Sequence, residues 1–227
     1  MGLSGGVDSA VAAYLLKEQG YQVIGVTLRT WEAESGAYSR CCDISDARAT
    51  AMQLEIPYYN INSLPEFRKN VTDPFADAYL SGMTPNPCVY CNRYIKWDRL
   101  LGFADDINAE FVATGHYARV ARTSDGRYTV RQADHSDKDQ TYMLYQLSQE
   151  QLARTLMPLS ELTKNEVRKI AEEAGLAVAG KHDSQEICFV LNGGYAEYIE
   201  SYVDEALPPP GNFVNEDGKV LGTHKGI

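Results

Sequence analysis

Residues Ser4 to Leu16 read SGGVDSAVAAYLL: two glycines, an aspartate and two serines set directly before an apolar, helix-forming run. Glycines allow a backbone turn in which several N–H groups point inward, and the start of a helix adds its partial positive charge. Ser4 and Ser9 can contribute hydroxyl donors. The segment is therefore built to hold an anion. Asp8 is poorly placed against bare phosphate, so it is expected either to hold a magnesium ion or to position the loop. The pattern is neither the dinucleotide fingerprint nor the lysine-bearing phosphate loop. The helix is expected over Ser9–Gln19, ended by Gly20.

Working outward, YQVIGVTL (21–28) reads as a buried strand, and a helix over Ile44–Leu54 has Asp43 placed to cap it. IPYYNIN (56–62) is a further strand. Strand and helix alternating at these lengths predict a doubly wound, Rossmann-like α/β fold with a parallel sheet and helical additions. Helices are expected at 64–71, 73–80 and 95–106, a short buried strand in EFVATGH (110–116), and a hairpin over 117–133 turning at Ser124-Asp125-Gly126. From Asp139 to Ala174 the chain reads as mostly helical. Its clearest helix is capped by Thr163 with Glu166 three residues on and stopped by Gly175. A last helix lies in GYAEYIESYV (194–203). PPPG (208–211) marks a stiff linker, and the remaining residues form one hairpin turning at Asp217-Gly218. One hairpin cannot bury a core alone. The expected division is a nucleotide-binding domain over 1–207, then linker and the start of a β-rich second domain over 208–227. Only Met1-Gly2-Leu3 precede the loop, so the first strand is expected to be missing and the chain truncated at both ends.

The chain has 227 residues and a formal charge of −10, which argues against coating nucleic acid through bulk electrostatics. Four arginines between His116 and Arg131 are either a local basic patch or a solvated hairpin. No apolar run approaches the roughly 18 residues of a membrane span, and no export signal is visible, so the cytoplasm is the expected location. Five cysteines, at 41, 42, 88, 91 and 188, form no regular disulfide framework. In a reducing compartment they are more often catalytic, metal-bound or buried. Adjacent Cys41 and Cys42 are read as structural.

The glycine loop resembles the SGGxDS loop of the PP-loop ATP pyrophosphatases, the adenine nucleotide α-hydrolase-like enzymes that cleave ATP between its α and β phosphates. By itself it implies an adenylating enzyme whose product is captured by ammonia, an amine or sulfur. GMTPNPCVYCNRYIKWDRLL (82–101), ATGHYAR (113–119), DKDQTYML (137–144) and DSQEICFV (183–190) then follow in the order and approximate spacing of the bacterial tRNA-specific 2-thiouridylases. That resemblance implies ATP- and Mg2+-dependent adenylation of the wobble uridine of tRNA, then replacement of O2 by sulfur from a persulfide donor, a cysteine desulfurase or relay protein. It implies ATP contacts from Leu3, Ser4, Gly5, Gly6, Val7, Asp8, Ser9, Leu28 and Gly115. Asn86, Pro87, Cys88, His116, Lys138, Asp139 and Gln140 would face the tRNA. Cys188 would carry the persulfide, Cys91 would be the nucleophile, and the two would form a transient disulfide. Cys91, near a helix start, is expected to have a lowered thiol pKa. Cys88 departs from the family, in which many members carry aspartate there. It is either a stand-in for that acid or, with Cys91 and Cys188, a ligand of a [4Fe–4S] cluster. Arg93, Lys96 and Arg99 are either phosphate contacts or a solvated helix face. A related thiolase acting on another base, and a chain that only binds ATP or metal, remain as alternatives.

Overall fold

The computed structural model describes residues 1–31, 43–182, 187–190, 194–203 and 207–226. Cys41, Cys42 and the DSQE part of the last motif lie outside them. Helix α1 (Val7–Glu18) leads to strand β1 (Gly25–Arg29), α2 (Ile44–Gln53) and β2 (Tyr58–Asn62). A helical stretch then runs through α3 (Leu64–Phe67), a π-helical segment (Arg68–Thr72) and α4 (Asp73–Leu80). A second runs through α5 (Pro87–Tyr90), a π-helical segment (Cys91–Trp97) and α6 (Asp98–Asp106). Next come β3 (Val112–Ala113), the hairpin β4 (Arg119–Arg122) and β5 (Tyr128–Arg131), α7 (Gln149–Ala153), β6 (Thr155–Leu156) and α8 (Lys164–Glu173). Helix α9 (Tyr195–Tyr202) and the hairpin β7 (Gly211–Val214) and β8 (Val220–His224) follow.

β1 pairs parallel with β2, and β3 parallel with β6. Residues 1–3 join the two pairs: Leu3 N donates to Val26 O (2.8 Å), Val26 N to Met1 O (2.8 Å) and Gly2 N to Ala113 O (2.9 Å). They thus take a strand's place at the centre, and the spatial order becomes β2, β1, residues 1–3, β3, β6. This is the order of a doubly wound sheet, in which the winding reverses beside the first strand. Both faces are covered, as a parallel sheet requires. Leu3 and Ala113 pack into a core with α1, α2 and α8, where Ala10, Ala13, Ala47, Ala51, Val167 and Ala171 are almost fully buried. Val26, Leu28 and Val112 point the other way, onto Phe67, Phe75, Ile95, Trp97 and Leu100. Alternate residues facing opposite sides is the strand period. The preponderance of alanine on the first face lets α1 lie close to the sheet.

The caps behave as the sequence indicates. Asp43 Oδ1 accepts from Asp46 N (3.1 Å), and Thr163 and Glu166 form a reciprocal capping box. Gly126 and Gly218 adopt positive φ at the two hairpin turns. Three expectations change. The helical run expected from Ile95 begins at Pro87, because Asn86 caps it through Cys88 N (3.1 Å) and proline suits a first helical position. The expected helices at 64–71 and 73–80 are continuous. The stretch after Asp139 holds a 3-10 turn (Thr141–Met143) and β6 besides its helices. Trp97 Nε1 donates to Thr155 Oγ1 (2.6 Å), so a long-range bond fixes that two-residue strand.

Candidate nucleotide and sulfur-transfer site

The loop between the central strand and α1 sits at the reversal of strand order, where open α/β sheets bind ligands at the carboxyl ends of their strands. Gly5 has φ +76°, and a Cβ there would lie 2.5 Å from Asp43 O. Ser9 Oγ accepts from Ser4 N (3.1 Å) and donates to Gly6 O (3.0 Å), closing the loop on itself. Gly6 caps α1 with no side-chain bond, so the first N–H groups of a 12-residue helix are left for an anion. Leu28 lies near the carboxyl end of β1. Gly115 follows β3 and packs so closely on α1 that a Cβ would sit 2.8 Å from Ser9 N. Leu3 and Gly115 therefore flank the loop from neighbouring strands.

Asp8 has partners that no local pattern signals. Its Oδ1 accepts from Tyr117 Oη (2.8 Å) and from Lys164 Nζ (2.6 Å). These bonds tie the start of α1 to β3's exit and to the first turn of α8, and they make Asp8 an anchor of the loop. Lys181 Nζ bonds Asp43 Oδ2 (2.9 Å) and Asp46 Oδ2 (2.5 Å), beneath the carbonyl that touches Gly5. Partial burial pushes the Asp43 carboxyl up, but the bond from Lys181 and the Asp46 N–H reverse this and leave it below its ordinary value.

The second half of the site is the run beginning at Asn86. Asn86, Cys88 and Tyr90 are exposed; Pro87 and Val89 are buried. Cys91 is half-buried and opens the seven-residue π-helical segment, a geometry that recurs at functional sites. It is the fifth residue of the helical run, beyond the first turn where the helix field acts on a thiol. The expectation of a thiolate stabilised by a helix start therefore loses its basis. Cys188 lies in the Ile187–Val190 turn, closed by Val190 N donating to Ile187 O (3.1 Å). The adjoining Phe189 is clamped by Phe75 (5.1 Å, perpendicular), Phe67 and Tyr198. Burial, then Tyr202, pushes the neighbouring Tyr198 hydroxyl well above its ordinary value. Cys91 and Cys188 border the same apolar core and are not joined in a disulfide.

The cysteine cradle for a cluster is not assembled. Among the described residues, no three side chains of His, Cys, Asp and Glu are gathered to hold a metal ion, and Cys88 projects outward while its two supposed co-ligands are half-buried.

His116 is buried (6% exposed) against Trp97. Lys96 Nζ lies 3.5 Å from Nε2; an ammonium can only donate, so Nε2 accepts and Nδ1–H faces Thr114 Oγ1 at 2.8 Å. Burial, and then the Lys96 charge, hold the imidazole pKa well below its ordinary value. The unfolded chain therefore takes up this proton as pH falls through about 6.5, while the folded protein does not, and stability is lost towards acid. Between pH 7 and 5, denaturant titration should show wild type losing about 1–2 kcal/mol more than His116→Leu. Equal slopes would remove the buried neutral imidazole from the account.

The 137–140 segment is knitted in rather than loose. Gln140 Oε1 accepts from Tyr117 N (3.0 Å), and Gln140 N donates to Tyr117 O (3.0 Å). Asp139 Oδ2 accepts from Thr141, while Lys138 is exposed at the end of a 3-10 turn. On the other run Arg99 pairs with Glu66 (3.2 Å), and Arg93 lies over the Tyr94 ring (5.1 Å). Arg119 pairs with Asp134 and Glu161, so the hairpin arginines are partly neutralised. Tyr117, Lys164 and Lys181 were not foreseen as site residues, and Lys96, read as a phosphate contact or part of a solvated face, lies against His116. Tyr117 at least adjoins His116 in a quoted motif; Lys164 and Lys181 carry no local signal.

The fold and site define a Rossmann-like α/β protein with an anion-holding glycine loop and two thiols against one core. The chain belongs to the family described as tRNA methyl transferase HUP domain, whose model matches residues 1–192. It is 52% identical to the tRNA-specific 2-thiouridylase MnmA of Lachnoclostridium phytofermentans, covering 100% of this chain and 65% of that protein. Against the enzyme of the same name from Clostridium perfringens it is 51% identical, covering 100% and 64%. The chain thus spans just under two thirds of the length of these relatives. The U34-tRNA thiolase NcsA of Methanococcus maripaludis, solved with its [4Fe–4S] cluster, is 20% identical with a TM-score of 0.53 over 90% of this chain and 63% of that one. That likeness is one of fold.

Proposed function

We propose that the protein is an ATP-dependent sulfurtransferase that adenylates and thiolates C2 of the wobble uridine of tRNA, acting in the cytoplasm. One observation carries the reading: Cys91 and Cys188, far apart in sequence, border one core. The names of the relatives, at about half identity across the whole chain, point the same way.

ATP lies with its phosphates on the loop of Ser4–Ser9. The uridine O2 attacks the α-phosphate, pyrophosphate departs, and the poor leaving oxygen becomes part of AMP. A magnesium ion bound with the nucleotide would neutralise its phosphates; Asp8, already bonded to Lys164 and Tyr117, holds the loop. A sulfane sulfur transferred from a donor protein sits on Cys188 as a persulfide. Its terminal sulfur attacks C2, and AMP leaves. The Cys91 thiolate then attacks Sγ of Cys188, breaking the S–S bond. The electron pair of that bond stays on the sulfur at C2, giving 2-thiouridine and a Cys91–Cys188 disulfide. An external dithiol reduces the disulfide by two electrons. Among the described residues Cys88, Cys91 and Cys188 are not gathered as a ligand set, and no step is routed through a cluster.

With labelled ATP, pyrophosphate release should require tRNA carrying a wobble uridine and should stop when that uridine is replaced by cytidine. Pyrophosphate released equally without tRNA would overturn the reading.

A further inference from the structure

Beside the cysteine loop runs a surface groove of about 280 Å3, with Met83, Pro85, Asn86, Val89, Tyr90 and Tyr145 among its walls. Tyr145 is 70% exposed, and Met83 60%. Tyr90 lies almost parallel to Tyr94 (10° between planes, centroids 6.5 Å apart), and the Arg93 guanidinium lies 5.1 Å from the Tyr94 centroid. The groove thus carries two tyrosine rings, Tyr90, stacked on Tyr94 and so held in place, and Tyr145, with most of its surface in water. The function proposed above assigns these tyrosines nothing.

The shape and chemistry select a flat, π-faced ligand with a polar edge. The volume falls just below the roughly 300–1,000 Å3 of ordinary small-molecule pockets, which suits one planar group. Aromatic rings backed by arginine are the usual seats of unstacked nucleic-acid bases. Asn86 lines the groove, next in sequence to Pro87 and Cys88, residues that the resemblance sets against the tRNA. A base displaced from its stack leaves a neighbour also in need of a stacking partner. We propose that the groove between Tyr90 and Tyr145 seats a base flanking the wobble uridine in the anticodon loop. This rests on the proposed tRNA substrate and adds a second contact to it.

The test uses anticodon stem-loop RNAs that are intact or abasic at the nucleotide 5′ or 3′ of the wobble uridine. Binding is measured by fluorescence anisotropy to the protein and to Tyr145→Ala, Tyr145→Leu and Tyr145→Phe, with circular dichroism confirming each fold. Tyr145→Ala and Tyr145→Leu should weaken binding of the intact RNA about tenfold, within the range of base–aromatic stacking. Tyr145→Phe should bind as wild type. On one of the two abasic RNAs the alanine variant should bind no worse than wild type, because the base and its seat are lost together. Overturning results are wild-type binding by Tyr145→Ala, or the same tenfold loss on the intact and both abasic RNAs. Unchanged RNA binding with impaired sulfur delivery would assign the groove to a donor protein instead. If wild type bound no stem-loop at all, the proposed substrate would fall as well, so the two failures are distinguishable.

Discussion

Replacing Cys91 or Cys188 by serine should lower tRNA thiolation by a factor on the order of 10³ or more, since each removes a reacting atom. The two variants should stop at different points. Cys188→Ser has no sulfur to carry the persulfide, so adenylation proceeds and no sulfur reaches the base. Cys91→Ser can still deliver the persulfide to C2. It cannot break the S–S bond, so tRNA remains joined to Cys188 through two sulfurs. Denaturing gels should show a protein–tRNA adduct for Cys91→Ser that dithiothreitol dissolves, and none for Cys188→Ser. Cys88→Ser should retain most activity, because Cys88 is exposed and the sulfur transfer runs between Cys188 and Cys91. An adduct on Cys188→Ser, or full activity in either of the first two variants, would exclude this division of roles.

The second large effect is expected at Gly5. An alanine there must adopt φ near +76° and place its Cβ 2.5 Å from Asp43 O and 2.8 Å from Asp43 Cβ. The backbone conformation alone costs about 1–2 kcal/mol. Displacing a neighbouring main chain raises the total to roughly 3–4 kcal/mol. Because the loop must move to relieve the clash, ATP affinity should fall at least about tenfold in parallel. Gly102 is the control. It lies in α6 with nothing within 4 Å of a Cβ, so Gly102→Ala should stabilise by about 0.5–1 kcal/mol without touching ATP binding. Thermal unfolding and nucleotide titration of the two variants separate the cases. Equal behaviour would mean that the loop tolerates a side chain at Gly5.

The alternation of strand and helix was readable because each long element carries its own period and cap. Asp43, Thr163 with Glu166, and the glycines of both hairpin turns are local signals, and the structure uses them as such. What escaped is held by distant partners. β6 is two residues long and exists because Val112 and Ala113 pair with it and Trp97 bonds Thr155. Residues 1–3 act as a strand only through Val26 and Ala113. The start of the cysteine helix was placed late, at residue 95, although Asn86-Pro87 is a good helix entry. In the site, the glycine loop and the cysteine motifs were legible as patterns. The bonds to Asp8 from Tyr117 and Lys164 span 109 and 156 residues, and no spacing rule reaches that far. His116 was singled out only through the resemblance; its burial against Trp97 is a tertiary fact that no local pattern announces.

The most direct test of sulfur transfer to the wobble uridine is mass spectrometry of tRNA nucleosides. tRNA is incubated with the protein, ATP, magnesium and a persulfide donor, then digested. The expected result is 2-thiouridine at the wobble position, with one AMP and one pyrophosphate formed per sulfur incorporated. A thiolated cytidine, or AMP formed with no thiolated nucleoside, would contradict it.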